Sequence, residues 1–333
     1  MTTHILYHKA DWDGKCSAAI ILKFLEYHGT VRTSDGTTLQ FDSSYALHPV
    51  DYGDDPVRMI SEWEAAHSDT NARYTNRIVI VDWSPSVDAM AKLMAMFDNH
   101  LIWIDHHDSA IELLSGFAVW GKREVGKAGC ELTWEFFFPN DPMPQAVKYL
   151  GRYDVFDQSD SIKWSHRILP FQYGMRLRSN AFALIGCAAN WDTLLSSAGE
   201  PLVEVIIVEG HTVLGYVASN NKTLAETLAF RGKFEGHNAV FLNRQPGNSQ
   251  MFGSVFREGD DIMVAFGLVP SPEGLPTGGP RWRVSLYSES VDVDVSKIAQ
   301  KYGGGGHANA AGFATRTLPF EWAGPFRKED PPE

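Results

Sequence analysis

Short, nearly unbroken apolar runs alternate with stretches in which apolar residues recur every three or four positions. Residues 4–8 (HILYH) read as a strand and residues 14–27 as an amphipathic helix. Residues 45–50 form a weaker strand candidate. Residues 77–82 (RIVIVD) and 101–105 (LIWID) are apolar runs that each close on an aspartate. Between them, Met90, Leu93, Met94 and Phe97 carry helical spacing across residues 86–97. Apolar strands separated by helices predict an α/β fold with a mostly parallel sheet covered on both faces. Ligand sites in such folds lie beyond the carboxyl ends of the strands, and the acidic residues fall there.

Further along, residues 126–150 look helical, interrupted at Pro139, Pro142 and Pro144, and residues 171–195 also read as helical. Periodicity over residues 202–230 predicts a connecting helix. From His237 the texture changes. Residues 238–243, 261–269 and 282–288 are strand-like between Gly- and Pro-rich turns, and residues 295–302 form a short helix before a glycine cluster. The predicted organisation is a parallel-sheet domain over 1–195, a helical connector over 196–235, a smaller mixed α/β domain over 236–320, and a tail over 321–333. The charge and proline content of the tail predict disorder.

Composition narrows the class. The 333 residues suffice for two domains, and 44% hydrophobic with 21% charged residues exclude a disordered, collagen-like or coiled-coil chain. The formal net charge of −12, from 29 basic and 41 acidic residues, argues against a broad basic surface for long nucleic acid. It leaves room for a local pocket that takes a short phosphate ligand. Cys16, Cys130 and Cys187 are too few for a disulfide framework, so a reduced, cytoplasmic setting is expected. Residues 1–9 lack a signal-peptide pattern. Unbroken apolar runs such as residues 205–208 fall short of the ~20 residues of a membrane span, so no membrane partner is expected.

The candidate chemistry sits at the predicted strand ends. His8, Asp11 and Asp13 belong to H-K-A-D-W-D-G, which leaves a strand and enters a helix. Asp82 closes the second run, Asp105-His106-His107 closes the third, and Asp154 lies downstream. Singly, each is as well explained by a helix cap or a loop carboxylate. Together they form a mixed oxygen and imidazole donor set of the kind that suits Mn²⁺, Fe²⁺, Co²⁺ or Zn²⁺. The donors exceed what one metal requires, and two-metal sites recur in phosphoester hydrolysis.

The order H-x-x-D-x-D-G, then D, then D-H-H, then a later D resembles the DHH phosphoesterase family. Residues 303–312 (GGGGHANAAG) resemble the GGGHxxAAG signature of the C-terminal domain found with DHH domains in nano-RNases and RecJ-type exonucleases. The resemblance runs from His8 to about Phe313. It implies two divalent metal ions, with Mn²⁺ expected. His8, Asp11 and Asp82 would hold one, and Asp13, Asp82, His106 and Asp154 the other. Asp105 would orient a histidine ligand, and His107 would face the substrate phosphate as charge stabiliser or proton donor. His107, Asp82 and Asp105 are thus the implied catalytic group. The first motif is one residue shorter than H-x-N-P-D-G-D, a spacing found in a branch resembling cyclic-nucleotide and oligoribonucleotide phosphodiesterases.

The implied reaction is hydrolysis of short oligonucleotides or dinucleotides to nucleoside 5′-monophosphates. The alternatives are a phosphatase or phosphodiesterase for a small nucleotide such as 3′-phosphoadenosine 5′-phosphate or a cyclic nucleotide, and a RecJ-like single-strand exonuclease. A non-catalytic scaffold is disfavoured because no implied metal ligand is missing. In the second domain Gly304, Gly305 and Gly306 are expected to bind substrate through an amide concavity, with His307 adding a hydrogen bond or charge. The strand R-V-S-L-Y-S carries Tyr287 where related domains hold an arginine. Tyr287 would stack on a base or donate one hydrogen bond, and Arg283 or Arg281 would supply the charge. Trp12, Trp83 and Trp103 flank the acidic motifs, with core packing the expected job of Trp103. Arg176 and Arg178 read as a solvated helix face.

Overall fold

The computed structural model describes residues 2–27, 29–32, 38–41, 44–67, 76–97, 100–184, 188–270, 280–290 and 292–320. Cys187 and the tail lie outside the described residues. The chain divides into two compact units, Met1–Val213 and Leu214–Glu333.

In the first unit, β1 (Thr3–His8) leads into α1 (Trp12–Glu26). A small antiparallel pair, β2 (Thr30–Arg32) and β3 (Thr38–Gln40), precedes β4 (Tyr45–Val50). Then α2 (Pro56–His67) is followed by β5 (Arg77–Val81), and α3 (Val87–Phe97) by β6 (Leu101–Ile104). Strands β4, β1, β5 and β6 lie in that order and all pair in parallel. Successive strands move to one side of β1 and then to the other, so β1 and β5 flank the switch point where such sheets open a ligand crevice. The register sets the site. Tyr7 pairs with Val81, and Val81 with Ile104. The residues that follow, His8, Asp82 and Asp105, therefore leave three adjacent strands at one level.

The strands read as continuous apolar runs because both faces are buried. Ile5, Tyr7, Val79, Val81, Ile102 and Ile104 point into one core with α1 and the later helices, whereas Leu6, Ile78, Ile80, Leu101 and Trp103 point into the other with Met90, Leu93 and Phe97. Each such large side chain contributes roughly 1.5–3 kcal/mol through burial. Trp12 packs in the first core, and Trp83 and Trp103 in the second.

After β6 come α4 (Asp108–Leu113), α5 (Gly129–Phe137) and α6 (Gln145–Asp154), the last two separated by the predicted prolines. Next, α7 (Ser161–Lys163) continues through a π turn (Trp164–Ile168) into α8 (Leu169–Leu177). The single helix expected over 171–195 is two, α8 and α9 (Ala188–Leu194). Arg178 is spent on a two-pronged pair with Glu209, at 2.6 Å for both contacts, and Arg176 stacks on Tyr173. The long helix α10 (Glu200–Leu228) spans the boundary between the units. It touches α8 through glycines, since a Cβ on Gly210 would sit 1.7 Å from the Pro170 carbonyl oxygen. By length and composition α10 is apolar enough to cross a membrane, with a mean hydropathy of 1.4 over its most apolar 18 residues. Unbroken runs hide this, because polar residues interrupt it.

The second unit is a mixed sheet. Its strands are β7 (Phe230–Phe234), β8 (His237–Asn243), β9 (Ile262–Val269), β10 (Arg281–Tyr287), β11 (Gly305–His307) and β12 (Ala310–Thr315), with α11 (Val295–Lys301) before β11. The order is β11-β12-β10-β9-β8-β7, parallel at β8–β9 and antiparallel elsewhere. Two readings change. Phe230 begins a strand instead of ending the helix. The glycine cluster is not a free loop, because Gly305 and Gly306 pair with Gly312 and Ala311 as an edge strand. Ala310 and Ala311 are likewise strand residues, at the start of β12.

Candidate metal centre

The loop after β1 turns directly into α1. Asp11 caps that helix, its Oδ1 accepting the Gly14 amide at 3.0 Å. Gly14 is required there, because a Cβ would lie 2.1 Å from the His8 carbonyl oxygen. The other Asp11 oxygen sits 2.9 Å from His8 Nδ1, and Asp82 Oδ2 lies 3.9 Å from the same nitrogen. His8, Asp11 and Asp82 thus converge as one donor group. Asp82 reaches it from a left-handed backbone, φ 53°, tolerated by an aspartate at a turn and held by its amide bond to the Ile104 carbonyl at 3.0 Å.

A second donor group comprises Asp13, His106 and Asp154. His106 Nε2 faces Asp82 Oδ1 at 3.2 Å, Asp154 Oδ2 at 3.4 Å and Asp13 Oδ2 at 3.6 Å. Asp13 is buried and takes the Gly129 and Cys130 amides at 2.7 Å each, so the N-terminus of α5 fixes its orientation. Glu131 accepts the Ala128 amide at 3.1 Å and is itself paired with Arg152, which props that helix start. Asp154 enters from the last residue of α6.

Asp105 is wholly buried, and it does not hold the ring of the ligand candidate His106. Its Oδ1 accepts His107 Nδ1 and the His106 amide at 2.7 Å each, and its Oδ2 accepts the Ser84 hydroxyl. Trp103 Nε1 donates to Ser84 at 3.1 Å, completing the brace. The reason is local: the carboxylate lies against the two amides that follow it, and only the His107 ring folds back over it. His107 stays partly exposed, with a third of its side chain open.

The electrostatics are those of crowded carboxylates. Burial, then Asp13, Asp11 and Asp154, pushes the Asp82 carboxyl well above its usual range. Burial, then Asp13 and Asp11, raises Asp154 to about 8. Burial lowers His106. The Asp105 hydrogen bond raises His107, and pairing with Asp11 raises His8. Asp82 Oδ2 is buried with no hydrogen-bond partner. A buried acceptor without a donor, among four carboxylates and two imidazoles, fits divalent cations.

Four contributors escaped the sequence reading. The α5 amides and Ser84 carry no motif of their own. Asp51 and Tyr52 follow β4, and Asp51 Oδ1 lies 3.7 Å from His8 Nε2. A signal existed for Asp51, which closes its strand as Asp82 and Asp105 close theirs.

In the second unit Arg283, Tyr287, Gly305 and Gly306 line one groove of about 620 Å³. Arg281, Arg283 and Tyr287 share a strand face, opposite the core-facing Val284 and Leu286. The Tyr287 hydroxyl is already committed to the Gly247 carbonyl at 2.7 Å, so it is not a free donor. Gly304 faces β12, where a Cβ would lie 2.1 Å from the Gly312 carbonyl oxygen. Its role is close strand packing. The His307 backbone pairs with Ala310, and its side chain lies outside the described residues.

No family model matches the chain. It is 26% identical over 274 residues to the uncharacterized protein R106 of Acanthamoeba polyphaga mimivirus, covering 73% of this chain and 55% of that protein. The chain thus spans about half the length of the curated relative it matches. Among solved structures it resembles the DHH domain of a protein described as a member of a family of ribosomal proteins, with a TM-score of 0.56, 13% identity, and coverage of 94% of this chain and 82% of that one. A pGpG-specific phosphodiesterase from Vibrio cholerae aligns at TM-score 0.45 and 12% identity, over 95% and 92% of the two chains. The first of these shows that the chain shares the fold of a DHH-domain protein.

Proposed function

We propose that this chain is a metal-dependent DHH-type phosphodiesterase that hydrolyses short oligonucleotides or dinucleotides to nucleoside 5′-monophosphates. One observation carries the reading. Four aspartates and two histidines from four separate segments converge in two donor groups that share the environment of Asp82, whose buried Oδ2 has no hydrogen-bond partner. His8, Asp11 and Asp82 would hold one ion, and Asp13, Asp82, His106 and Asp154 a second, with Mn²⁺ the first to test. When bound, a divalent pair supplies Lewis acidity and lowers the pKa of water toward neutrality.

The chain's own groups supply the rest. Ser84 and two backbone amides hold the Asp105 carboxylate, and Asp105 in turn orients the His107 ring. Its raised pKa lets His107 keep its proton nearer neutral pH. The partly open ring donates that proton to a phosphoryl or leaving-group oxygen. The α5 amides keep Asp13 from turning away. In the second unit Arg283 lines a groove of its own with Tyr287, Gly305 and Gly306, where its guanidinium is available to a phosphate.

The test is product analysis with Mn²⁺ and a chelator control, over phosphorylated RNA and DNA dinucleotides, a longer strand, 3′-phosphoadenosine 5′-phosphate and cyclic dinucleotides. Chelator-sensitive release of monophosphates from dinucleotides is the expected result, with roughly 10²- to 10⁴-fold loss in His107→Ala. Turnover of the small nucleotides alone would replace the substrate class. Metal binding with no turnover of any of them would refute the reading.

A further inference from the structure

The turn after β4 brings an aromatic ring to the first donor group. Tyr52 is 63% exposed, yet its ring centroid stands only 5.5 Å from that of His8. An isolated exposed tyrosine is ordinary. This one sits on a tied-down turn beside a metal-ligand candidate. Asp51 Oδ1 accepts the Tyr52 amide at 2.9 Å, and Asp54 Oδ2 accepts the Asp51 amide at 2.9 Å. Lys9, from the H-K-A-D-W-D-G segment itself, donates to Asp54 at 3.2 Å. Gly53 closes the turn at φ 100°, where another residue would be strained. Asp55 then caps α2 by accepting the Arg58 amide at 3.1 Å. The backbone of the turn is therefore held at both ends, and it presents the Tyr52 ring to solvent beside His8.

We infer that Tyr52 is a substrate-positioning residue, its ring the platform on which a nucleobase of the substrate stacks while the phosphate lies at the Asp82 cluster. This rests on the phosphodiesterase reading above and deepens it by naming what recognises the base. A flat π-face is the one feature all bases share, so a stack of this kind binds nucleotides with little sequence preference. The cation next to this turn, Lys9, is spent on Asp54, so the ring's contribution is its face rather than charge.

The experiment compares wild type, Tyr52→Ala and Tyr52→Phe on a dinucleotide and on its two singly abasic analogues, in Mn²⁺. Affinity for a nucleoside 5′-monophosphate is read in parallel by calorimetry. Tyr52→Ala should raise KM for the intact dinucleotide about 5- to 150-fold with kcat little changed, and Tyr52→Phe should restore it. The Tyr52→Ala penalty should vanish on the abasic analogue that lacks the stacked base, which a merely structural role would not produce. Unchanged KM in Tyr52→Ala, with active wild type, overturns the inference alone. Equal penalties on all three substrates overturn it too. Should wild type turn over none of them, the phosphodiesterase reading fails, and calorimetry decides the stack: equal nucleotide affinity in wild type and Tyr52→Ala overturns it.

Discussion

Gly129→Ala separates the donor cluster from the fold that carries it. A Cβ at Gly129 would stand 2.7 Å from Asp82 Cβ, 3.0 Å from Asp82 Oδ1 and 3.1 Å from Asp13 Oδ2. Ordinary contact begins at 3.4 Å, so the Asp82 side chain must retreat by roughly 0.7 Å. It has little room, being 2% exposed and tied to Ile104 through its amide. A misplacement of about 1 Å in a catalytic constellation costs on the order of 10²-fold in rate, or ~2.7 kcal/mol. The fold has less reason to suffer. Gly129 opens α5 with φ outside the left-handed region, and alanine is favoured over glycine in a helix by up to ~1 kcal/mol. Expected, then, are a native circular-dichroism spectrum, weakened Mn²⁺ binding by calorimetry, and about 10²-fold lower kcat/KM on a dinucleotide. Gly215→Ala, where a Cβ meets nothing within 4 Å, is the matched control and should behave as wild type. A folded Gly129→Ala protein with wild-type metal affinity and turnover would refute the crowding argument.

Other outcomes are open to measurement. Saturating Mn²⁺, at about 100 times its Kd, should stabilise the protein by ~2.7 kcal/mol per bound ion and raise Tm by roughly 5–10 °C for each. Asp82→Asn should lose this gain yet melt higher than wild type in chelator, because it removes a carboxylate that burial and its neighbours disfavour; a lower Tm in chelator contradicts that. His4 and His48 are buried and joined at 2.9 Å, and burial holds each at about 4 against an ordinary 6.5. Between these values the unfolded chain binds the extra protons, so stability falls as pH drops from 6.5 toward 4, by roughly 2 kcal/mol per ring at pH 5. Glu64, 3.8 Å from His4 Nε2, opposes this only weakly. Denaturant titrations at pH 7 and 5 should therefore show a loss in wild type about 4 kcal/mol larger than in His4→Leu/His48→Leu, and equal losses would exclude the pair. Tyr287→Phe should cost about 1 kcal/mol of stability and leave substrate KM unchanged, since its hydroxyl serves Gly247; a raised KM would return that hydroxyl to the substrate.

The sequence by itself determined the parallel sheet and the level at which its chemistry lies. Strands buried on both faces must be apolar throughout, so residues 77–82 and 101–105 announce themselves, and the aspartates that end them fall at the carboxyl edge. The H-K-A-D-W-D-G and D-H-H segments were legible because a strand-to-helix turn is a local event, encoded within a few residues. Element boundaries inside 171–195 and the strand at Phe230 were not, since periodicity there fits more than one pairing. Tertiary structure alone decided which groups meet. Asp13 finds its amide donors 116 and 117 residues away on α5, and His8 finds Asp51 and Tyr52 at the end of the neighbouring strand. Asp105 grips the His107 ring rather than the His106 ring. In the second unit, residues 303–306 carried a glycine signature whose meaning depended on β12, because four glycines can line a loop or pair as an edge strand. Only the partner strand distinguishes the two. Backbone propensity acts over one turn of chain, whereas these contacts are set by the packing of segments that lie far apart in sequence.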